Sequence, residues 1–345
     1  MTTQTTSPVG TGVAGRDALT IGKIRGLQQI ANERNIFTMT AMDQRGSMRR
    51  MVNAQAPKEV PAERLTNIKL QLSEVFSPLS SALLLDPQYG APQSIAHGAL
   101  SGHCGLLVAL EHMDYDQQGD VRRSKAGENW SVEKIKRMGG SAVKVLIYYH
   151  PDQKETAEWQ ERFVLETQEQ CAMWDIPFVL ETVVYGINGV KDDSAEFAAQ
   201  KPELVIRSAE RLSPHCDLYK AEFPANIKFD TDESKLATWC RQLDTACKTP
   251  WVVLSAGVDI ELFRESVRIA CQNGASGFLA GRAIWKKAIA INDDAERLRW
   301  LRTEGVANLQ GLIEVANTYA MPWTTRRGTL LPPAETIIDA WFAAY

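Results

Sequence analysis

Three charged side chains lie inside apolar runs that are too short to form helices. Lys220 lies in DLYKAEFP, Lys144 in AVKVLIYY and Glu181 in FVLETVVY. A desolvated lysine close to other cations has a lowered pKa, so more of it is the neutral amine that attacks carbonyl carbons. A glutamate beside it could shuttle protons during imine formation and carbon–carbon bond cleavage. These residue types therefore predict carbonyl chemistry carried by a lysine.

Each of these residues also has a structural explanation. Lys220 could pair with Glu222, which is two positions further on and shares its strand face. Glu181 could belong to a buried ion pair. Two lysines inside one apolar core favour a functional role, because two buried ammonium groups repel each other. The pattern leaves open whether Lys144 or Lys220 is the nucleophile.

Further polar and small residues follow other apolar runs. Asp43, in MDQRG, could bind substrate hydroxyls or cap the turn that follows. LSAGV (254–258) and LAGRAIW (279–285) provide small residues and free backbone N–H groups where barrels commonly bind phosphate. Arg282 adds a bidentate donor. Together these two segments predict an anion site.

Eight short apolar runs alternate with amphipathic segments along the chain. The runs are 36–43, 81–86, 105–111, 142–149, 177–185, 216–223, 251–257 and 276–282. The segments of helical spacing include 19–34, 155–174, 201–212, 231–247 and 260–273. This alternation is typical of a parallel sheet buried on both faces. A doubly wound sheet would also fit, but no G-x-G-x-x-G follows any run, so we predict a closed (β/α)₈ TIM barrel.

The strands of such a barrel end at one mouth, where active sites lie. Eight polar residues at or near the ends of the runs are expected to converge there: Asp43, Asp86, Glu111, Lys144, Glu181, Lys220, Ser255 and Arg282.

We predict a single domain with additions at both ends. Residues 1–18 read as a disordered leader, 19–317 as the barrel with its N-terminal helix, and 318–345 as a C-terminal helical extension. The extension has an apolar stripe at Ile338, Trp341, Phe342 and Tyr345. This stripe could pack on its own barrel or bind a neighbouring subunit of a homo-oligomer.

The composition excludes several classes of function. The 345-residue chain has a net charge of −4 and a pI near 5.9, whereas nucleic-acid-binding proteins usually have a strongly basic face. We therefore expect no nucleic-acid partner. The longest apolar runs are far shorter than a membrane span, and the first residues lack the features of a secretion signal. These features predict a cytoplasmic protein with no membrane partner.

The cysteines and histidines give no sign of a disulfide framework or a metal site. None of the six cysteines forms a C-x-x-C pair, which is typical of reduced, buried thiols. The histidines show no H-x-x-x-H or H-E-x-x-H spacing. We therefore predict that no metal takes part.

Seven motifs, in this order, resemble the class I tagatose 1,6-bisphosphate aldolases. They are MDQRG, SALLLDPQYG, AVKVLIYY, FVLETVVY, DLYKAEFP, LSAGV and AGRAIW, and the resemblance runs from about Ile36 to Leu312. It implies that Lys220 forms the Schiff base, that Glu181 shuttles protons and that Lys144 and Asp43 lie beside the substrate. The residues that it assigns to substrate and phosphate binding are Gln44, Arg45, Ser255, Ala256, Gly257, Gly281 and Arg282.

The resemblance implies an aldolase that cleaves a ketose bisphosphate, tagatose 1,6-bisphosphate, to dihydroxyacetone phosphate and glyceraldehyde 3-phosphate. The reaction intermediate would be bound covalently to the lysine as an imine, so no cofactor is expected. GASGFLAGRAIW and PWVVLSAGVD also resemble the related aldolases that cleave 6-deoxy-6-sulfofructose 1-phosphate to dihydroxyacetone phosphate and sulfolactaldehyde. A barrel that only senses sugar phosphate, without turnover, is the alternative from another class.

Overall fold

The computed structural model describes residues 19–326, which contain ten strands and twelve α-helices. The strands are β1 Phe37–Ala41, β2 Ala82–Leu85, β3 Gly105–Ala109, β4 Asp116–Gln118, β5 Val121–Arg123, β6 Ala142–Tyr148, β7 Phe178–Val183, β8 Leu218–Ala221, β9 Trp251–Leu254 and β10 Gly277–Ala280. The helices are α1 Ile21–Ile30, α2 Gly46–Val52, α3 Ala62–Phe76, α4 Ala91–Ala96, α5 Val132–Arg137, α6 Lys154–Met173, α7 Ala195–Leu212, α8 Glu233–Ala246, α9 Ile260–Gln272, α10 Arg282–Ile289, α11 Asp294–Trp300 and α12 Val306–Tyr319.

Eight of the strands form a closed parallel barrel. Its order is β1–β2–β3–β6–β7–β8–β9–β10, with β10 pairing back onto β1. Each barrel strand lies inside one of the eight apolar runs, so the TIM-barrel prediction is confirmed. The remaining pair, β4 and β5, is an antiparallel hairpin that the sequence pattern did not predict. Its residues are partly or fully exposed and, apart from Val121, polar, so they show no apolar alternation.

Strand residues alternate between the barrel interior and the layer under the helices. One apolar cluster lies inside the barrel: Phe37, Met39, Ala41, Ala82, Leu84, Leu107, Ala142, Val179, Leu218, Val252 and Leu279. The alternate positions, such as Val143, Val145 and Ile147 of β6, belong to a larger cluster that packs against the helices. The apolar interior ends where Lys144, Glu181 and Lys220 begin, nearer the carboxyl ends of the strands.

Helix α1 and the segment after α12 close the amino-terminal end of the barrel. Leu27 and Ile30 of α1 and Trp323 are fully buried in the interior cluster. The backbone N–H of Trp323 donates to the carbonyl of Asn35, just before β1, at 2.9 Å. The predicted N-terminal helix is therefore present and lies across this end, together with the first residues of the predicted C-terminal extension.

The remaining predictions about domain ends lie outside the described residues. These are the leader at 1–18 and the apolar stripe that begins at Ile338. The boundaries between leader, barrel and C-terminal extension stay predictions. Within residues 19–326, no helix is both long enough and apolar enough to cross a bilayer. The six cysteines, all within that range, are buried thiols, as predicted: Cys104, Cys171, Cys216, Cys240, Cys247 and Cys271.

Gly105 allows α1 to lie directly on the first residue of β3. A Cβ atom at this position would lie 2.3 Å from the carbonyl oxygen of Gln29, closer than any real Cβ contact. We expect Gly105→Ala to lower the free energy of unfolding by about 2–3 kcal/mol, because backbone atoms must move to relieve the overlap. Urea unfolding followed by circular dichroism measures this. Gly102→Ala is the control, since a Cβ there meets nothing within 4 Å, and an equal loss in both variants would contradict the prediction.

Candidate active site

Lys220 and Glu181 are neighbours across the β7–β8 pair. The barrel register places their Cα atoms side by side, so both side chains point into the interior. The Nζ atom of Lys220 donates to Oε2 of Glu181 at 2.9 Å, and Lys220 is only 4% exposed. Glu222, the partner that a structural explanation would require, instead binds Nζ of Lys201 at 2.8 Å and accepts the backbone N–H of Val184. Lys220 therefore faces the interior with Glu181 as its ion-pair partner.

Lys144 has a different environment, although it lies in the same interior. It is fully buried, and its Nζ atom contacts three carboxylates: Asp43 at 2.7 Å, Glu111 at 2.8 Å and Glu181 at 3.1 Å. Burial favours the neutral amine, but the attraction of Asp43, Glu111 and Glu181 outweighs it and raises the pKa of Lys144 well above its usual value. Lys144 is therefore a fixed cation at neutral pH.

Two of the carboxylates around Lys144, those of Asp43 and Glu181, are held as anions by the same contacts. Burial opposes the ionisation of Asp43, yet the attraction of Lys144 and Lys220 lowers its pKa well below the usual range. The pKa of Glu181 is also lowered, because the attraction of Lys144 and Lys220 outweighs its burial. The two lysines and three carboxylates thus form one continuous ion-pair network.

The loop after β1 supplies the residues of the DQR motif. Asp43 reaches Lys144, whereas the guanidinium of Arg45 donates to the backbone carbonyl of Glu111 at 2.9 Å. The side-chain oxygen of Gln44 is buried and has no hydrogen-bond partner among the described residues. The structure therefore brings all three predicted residues to one side of the mouth.

The predicted phosphate-binding residues lie together at the ends of β9 and β10. The turn after β9 contains two residues with positive φ, Ala256 at 46° and Gly257 at 78°. A Cβ atom at Gly257 would lie 3.3 Å from the guanidinium carbon of Arg282, so glycine permits this close approach. The backbone N–H of Gly281 is 3.5 Å from Oγ of Ser255. Of these five residues, Arg282 lines the central cavity.

A cavity of about 540 Å³ opens at this mouth. The residues of the network line it together with three arginines, Arg45, Arg50 and Arg282. The remaining lining residues are Gln44, Gly46, Ser47, His112, Met113, Asp114, Tyr115, Gln117, Ser124, Leu146 and Tyr148. The cavity thus combines a buried lysine–carboxylate network with guanidinium groups that can bind anionic ends of a ligand.

Two features differ from the sequence expectations. Asp86 does not line the cavity: it is fully buried, forms an ion pair with Lys69 of α3 and accepts the backbone N–H groups of Gln88 and Tyr89. Asp86 was expected to lie at the mouth with the other strand ends, but Lys69 and the turn that follows β2 hold its carboxylate away from the cavity. Glu111, in contrast, was recognised only as a polar strand end, yet its carboxylate belongs to the network.

Among residues 19–326, no group of three or more histidine, cysteine, aspartate or glutamate side chains is arranged to hold a metal ion. The three carboxylates near Lys144 have a lysine ammonium at their centre instead. The absence of a metal from the reaction stays a prediction.

With this geometry established, the chain can be compared with known proteins. The model of the DeoC/LacD family aldolases matches residues 37–287, which include all eight barrel strands. The chain is a DeoC/LacD family aldolase. It is also 34% identical over 323 residues to the tagatose 1,6-diphosphate aldolase of Staphylococcus epidermidis (strain ATCC 12228 / FDA PCI 1200), covering 88% of this chain and 98% of the relative.

Solved structures with similar folds support the same architecture for this aldolase. A Schiff-base-forming fructose-1,6-bisphosphate aldolase has a TM-score of 0.54 at 20% identity, covering 84% of this chain and 98% of the other. An archaeal fructose-1,6-bisphosphate aldolase, whose catalytic lysine carries a carbinolamine, has a TM-score of 0.53 at 20% identity and the same coverage. At these identities the likeness concerns the fold.

The network links the stability of the aldolase to pH. Because the folded pKa values of Asp43 and Glu181 are lowered, the stabilisation they provide is complete above their unfolded values of about 4. It is lost as the pH falls through the lower folded values. Without the charge of Lys144, the pH dependence of stability would be reversed. Burial would no longer be compensated and would raise the carboxylate pKa values above their unfolded values, so stability would increase as the pH falls.

We expect Lys144→Met to lower the free energy of unfolding by about 3–5 kcal/mol at pH 7.5, because it leaves buried carboxylates without their main counter-charge. This deficit relative to the native protein should shrink as the pH falls toward 5. Urea unfolding at both pH values measures it. Lys125→Met, at an exposed lysine, is the control. A deficit in unfolding free energy that is equal at both pH values would contradict the predicted pH dependence.

Proposed function

We propose that this aldolase cleaves tagatose 1,6-bisphosphate to dihydroxyacetone phosphate and glyceraldehyde 3-phosphate through a Schiff base on Lys220. One observation carries the choice of lysine. Both lysines line the cavity, but Lys144 contacts three carboxylates and is held as a cation, whereas Lys220 has one carboxylate contact, with Glu181. Because Lys144 is held as a cation, we assign the attack on the carbonyl to Lys220, which has Glu181 beside it.

Imine formation requires a proton acceptor beside the lysine. Glu181 already accepts a hydrogen bond from Nζ of Lys220 at 2.9 Å, so it can take the ammonium proton. The neutral amine then attacks the C2 carbonyl of the open-chain ketose and forms a carbinolamine. Glu181 returns its proton to the C2 hydroxyl, which leaves as water and gives the iminium.

Cleavage uses the iminium as an electron sink. A base removes the proton of the C4 hydroxyl, the C3–C4 bond breaks, and its electron pair forms an enamine with the iminium carbon. The aldehyde product departs. Protonation of the enamine at C3 and hydrolysis of the imine release dihydroxyacetone phosphate and regenerate Lys220. Lys144 stays protonated throughout and keeps Asp43 and Glu181 in place.

The charge distribution at the mouth supports a substrate with anionic ends. Arg282, beside the Ser255–Gly257 turn and Gly281, is suited to the C1 phosphate. Arg45 and Arg50, on the segment that follows β1, line the same cavity and can approach the phosphate on C6. The similarity to the tagatose 1,6-diphosphate aldolase of Staphylococcus epidermidis supports tagatose 1,6-bisphosphate as the substrate.

We expect borohydride reduction in the presence of dihydroxyacetone phosphate to attach the ligand to Lys220, because the reduced imine is stable to hydrolysis. Peptide mass mapping locates the adduct. Lys220→Met should lose both the adduct and activity, by on the order of 10⁴-fold or more. Lys154→Met, at an exposed lysine, is the control and should retain both. An adduct on Lys144, or none on any lysine with ligand bound, would remove Lys220 from the mechanism.

We expect a substrate panel to give the highest kcat/KM with tagatose 1,6-bisphosphate, the substrate that the Staphylococcus epidermidis relative is named for. Fructose 1,6-bisphosphate and 6-deoxy-6-sulfofructose 1-phosphate complete the panel, with chelator present because no metal is proposed. A higher value for the sulfosugar phosphate would transfer the assignment to sulfosugar cleavage. Binding without turnover of any of them would make the protein a sugar-phosphate sensor.

Mass in solution tests the homo-oligomer that we infer.

A further inference from the structure

We propose that the carboxylate of Glu111 binds a hydroxyl group on the aldehyde-derived half of the substrate, the part that carries C4 to C6. The inference rests on the proposed function and adds to it a residue that determines substrate selection. Glu111 follows β3, and its side chain lines the central cavity.

The backbone around Glu111 is fixed from two sides. Glu111 forms an antiparallel bridge with Ala126, and the N–H of His112 donates to the carbonyl of Lys125 at 2.8 Å. On the other side, Arg45 donates to the carbonyl oxygen of Glu111 at 2.9 Å. The direction of the Glu111 side chain is therefore set by the loop, and it points toward Lys144.

The two oxygens of this carboxylate have different environments. Oε1 accepts a hydrogen bond from Nζ of Lys144 at 2.8 Å. Oε2 is buried and has no hydrogen-bond partner among the described residues. An ionised carboxylate oxygen without a donor is costly to bury, so this geometry favours a ligand that supplies one. The side-chain oxygen of Gln44, which lines the same cavity, is buried without a donor as well.

The negative charge of Glu111 indicates which kind of ligand group can donate to its Oε2 atom. A phosphate oxygen would be repelled by the carboxylate of Glu111, whereas a hydroxyl group donates to it directly. Of the cavity's arginines, Arg45 is already bound to the backbone carbonyl of Glu111, and Arg50 and Arg282 make no contact with its carboxylate. The ligand segment beside Glu111 is therefore a hydroxylated carbon chain between the two charged ends.

The order of strands around the barrel assigns this segment to the aldehyde half. Arg282 follows β10, Lys220 lies on β8, Lys144 on β6, and Glu111 follows β3. A substrate with its C1 phosphate at Arg282 and C2 bonded to Lys220 continues past Lys144 toward Glu111. In this placement the carbon chain of dihydroxyacetone phosphate, which lacks carbons 4 to 6, ends one carbon beyond the carbon bonded to Lys220.

The experiment separates the two halves of the reaction in Glu111→Gln. Cleavage of tagatose 1,6-bisphosphate needs the proposed contact, whereas hydrogen exchange at C3 of dihydroxyacetone phosphate needs only the imine and enamine. We expect kcat/KM for cleavage to fall on the order of 10- to 100-fold, the usual effect of losing a hydrogen bond to a charged group. The exchange rate should fall by much less, about threefold at most. Glu128→Gln, at an exposed glutamate on the same loop, is the matched control.

Each result has one meaning. A selective loss of cleavage in the Glu111 variant supports the inference, and Glu111→Asp should show a smaller loss of the same kind. Equal losses of exchange and cleavage would overturn it, because Glu111 would then act only through Lys144 and the imine chemistry. Unchanged cleavage would overturn it too. Native protein that neither exchanges nor traps dihydroxyacetone phosphate would contradict the proposed function itself. If Glu111→Gln unfolds, the same comparison is made with Glu111→Asp.

Discussion

The ammonium group of Lys144 is the interaction on which the rest of the site depends. It is fully buried and contacts Asp43, Glu111 and Glu181, which come from or follow β1, β3 and β7. Three carboxylates cannot be brought this close in a barrel interior unless a cation lies between them. Lys144 therefore sets the spacing of three strand ends, and its own desolvation is offset only while all of them stay charged.

The same arrangement distinguishes two lysines that the sequence presents as equivalent. Burial alone would favour the neutral amine of either residue. The number of carboxylate contacts decides between them: three for Lys144 and one, from Glu181, for Lys220. Glu181 contacts both lysines, so the fixed cation also orients the carboxylate that faces the proposed nucleophile. In the proposed mechanism, Lys144 therefore holds Glu181 in position and Lys220 attacks the carbonyl.

Most of the barrel and part of the site could be predicted from the sequence. Eight apolar runs indicated the strands, and Lys144, Glu181 and Lys220 were visible because charge inside an apolar run is rare. The contacts between them were not predictable, since strand register and barrel closure bring together residues far apart in the chain. Asp86 shows the limit: alternation along β2 predicts that it points into the interior, but it follows the last residue of the strand and forms an ion pair with Lys69 instead. The β4–β5 hairpin was missed because its polar residues carry no apolar alternation.

The polarity of the interior changes along the barrel axis, from the amino-terminal end to the mouth, and this explains how the barrel can contain so much charge. The lower interior is apolar and is sealed at its amino-terminal end by Leu27, Ile30 and Trp323, so stability comes from that layer. The upper layer is charged and contains two buried acceptor oxygens, of Gln44 and Glu111, that have no hydrogen-bond partner among the described residues and that a ligand could satisfy. Carboxylates occupy the deep part of this layer, whereas Arg50 is exposed at its edge. A ligand with hydroxyl groups in its middle and anionic groups at its ends matches this order, and a uniformly anionic ligand does not.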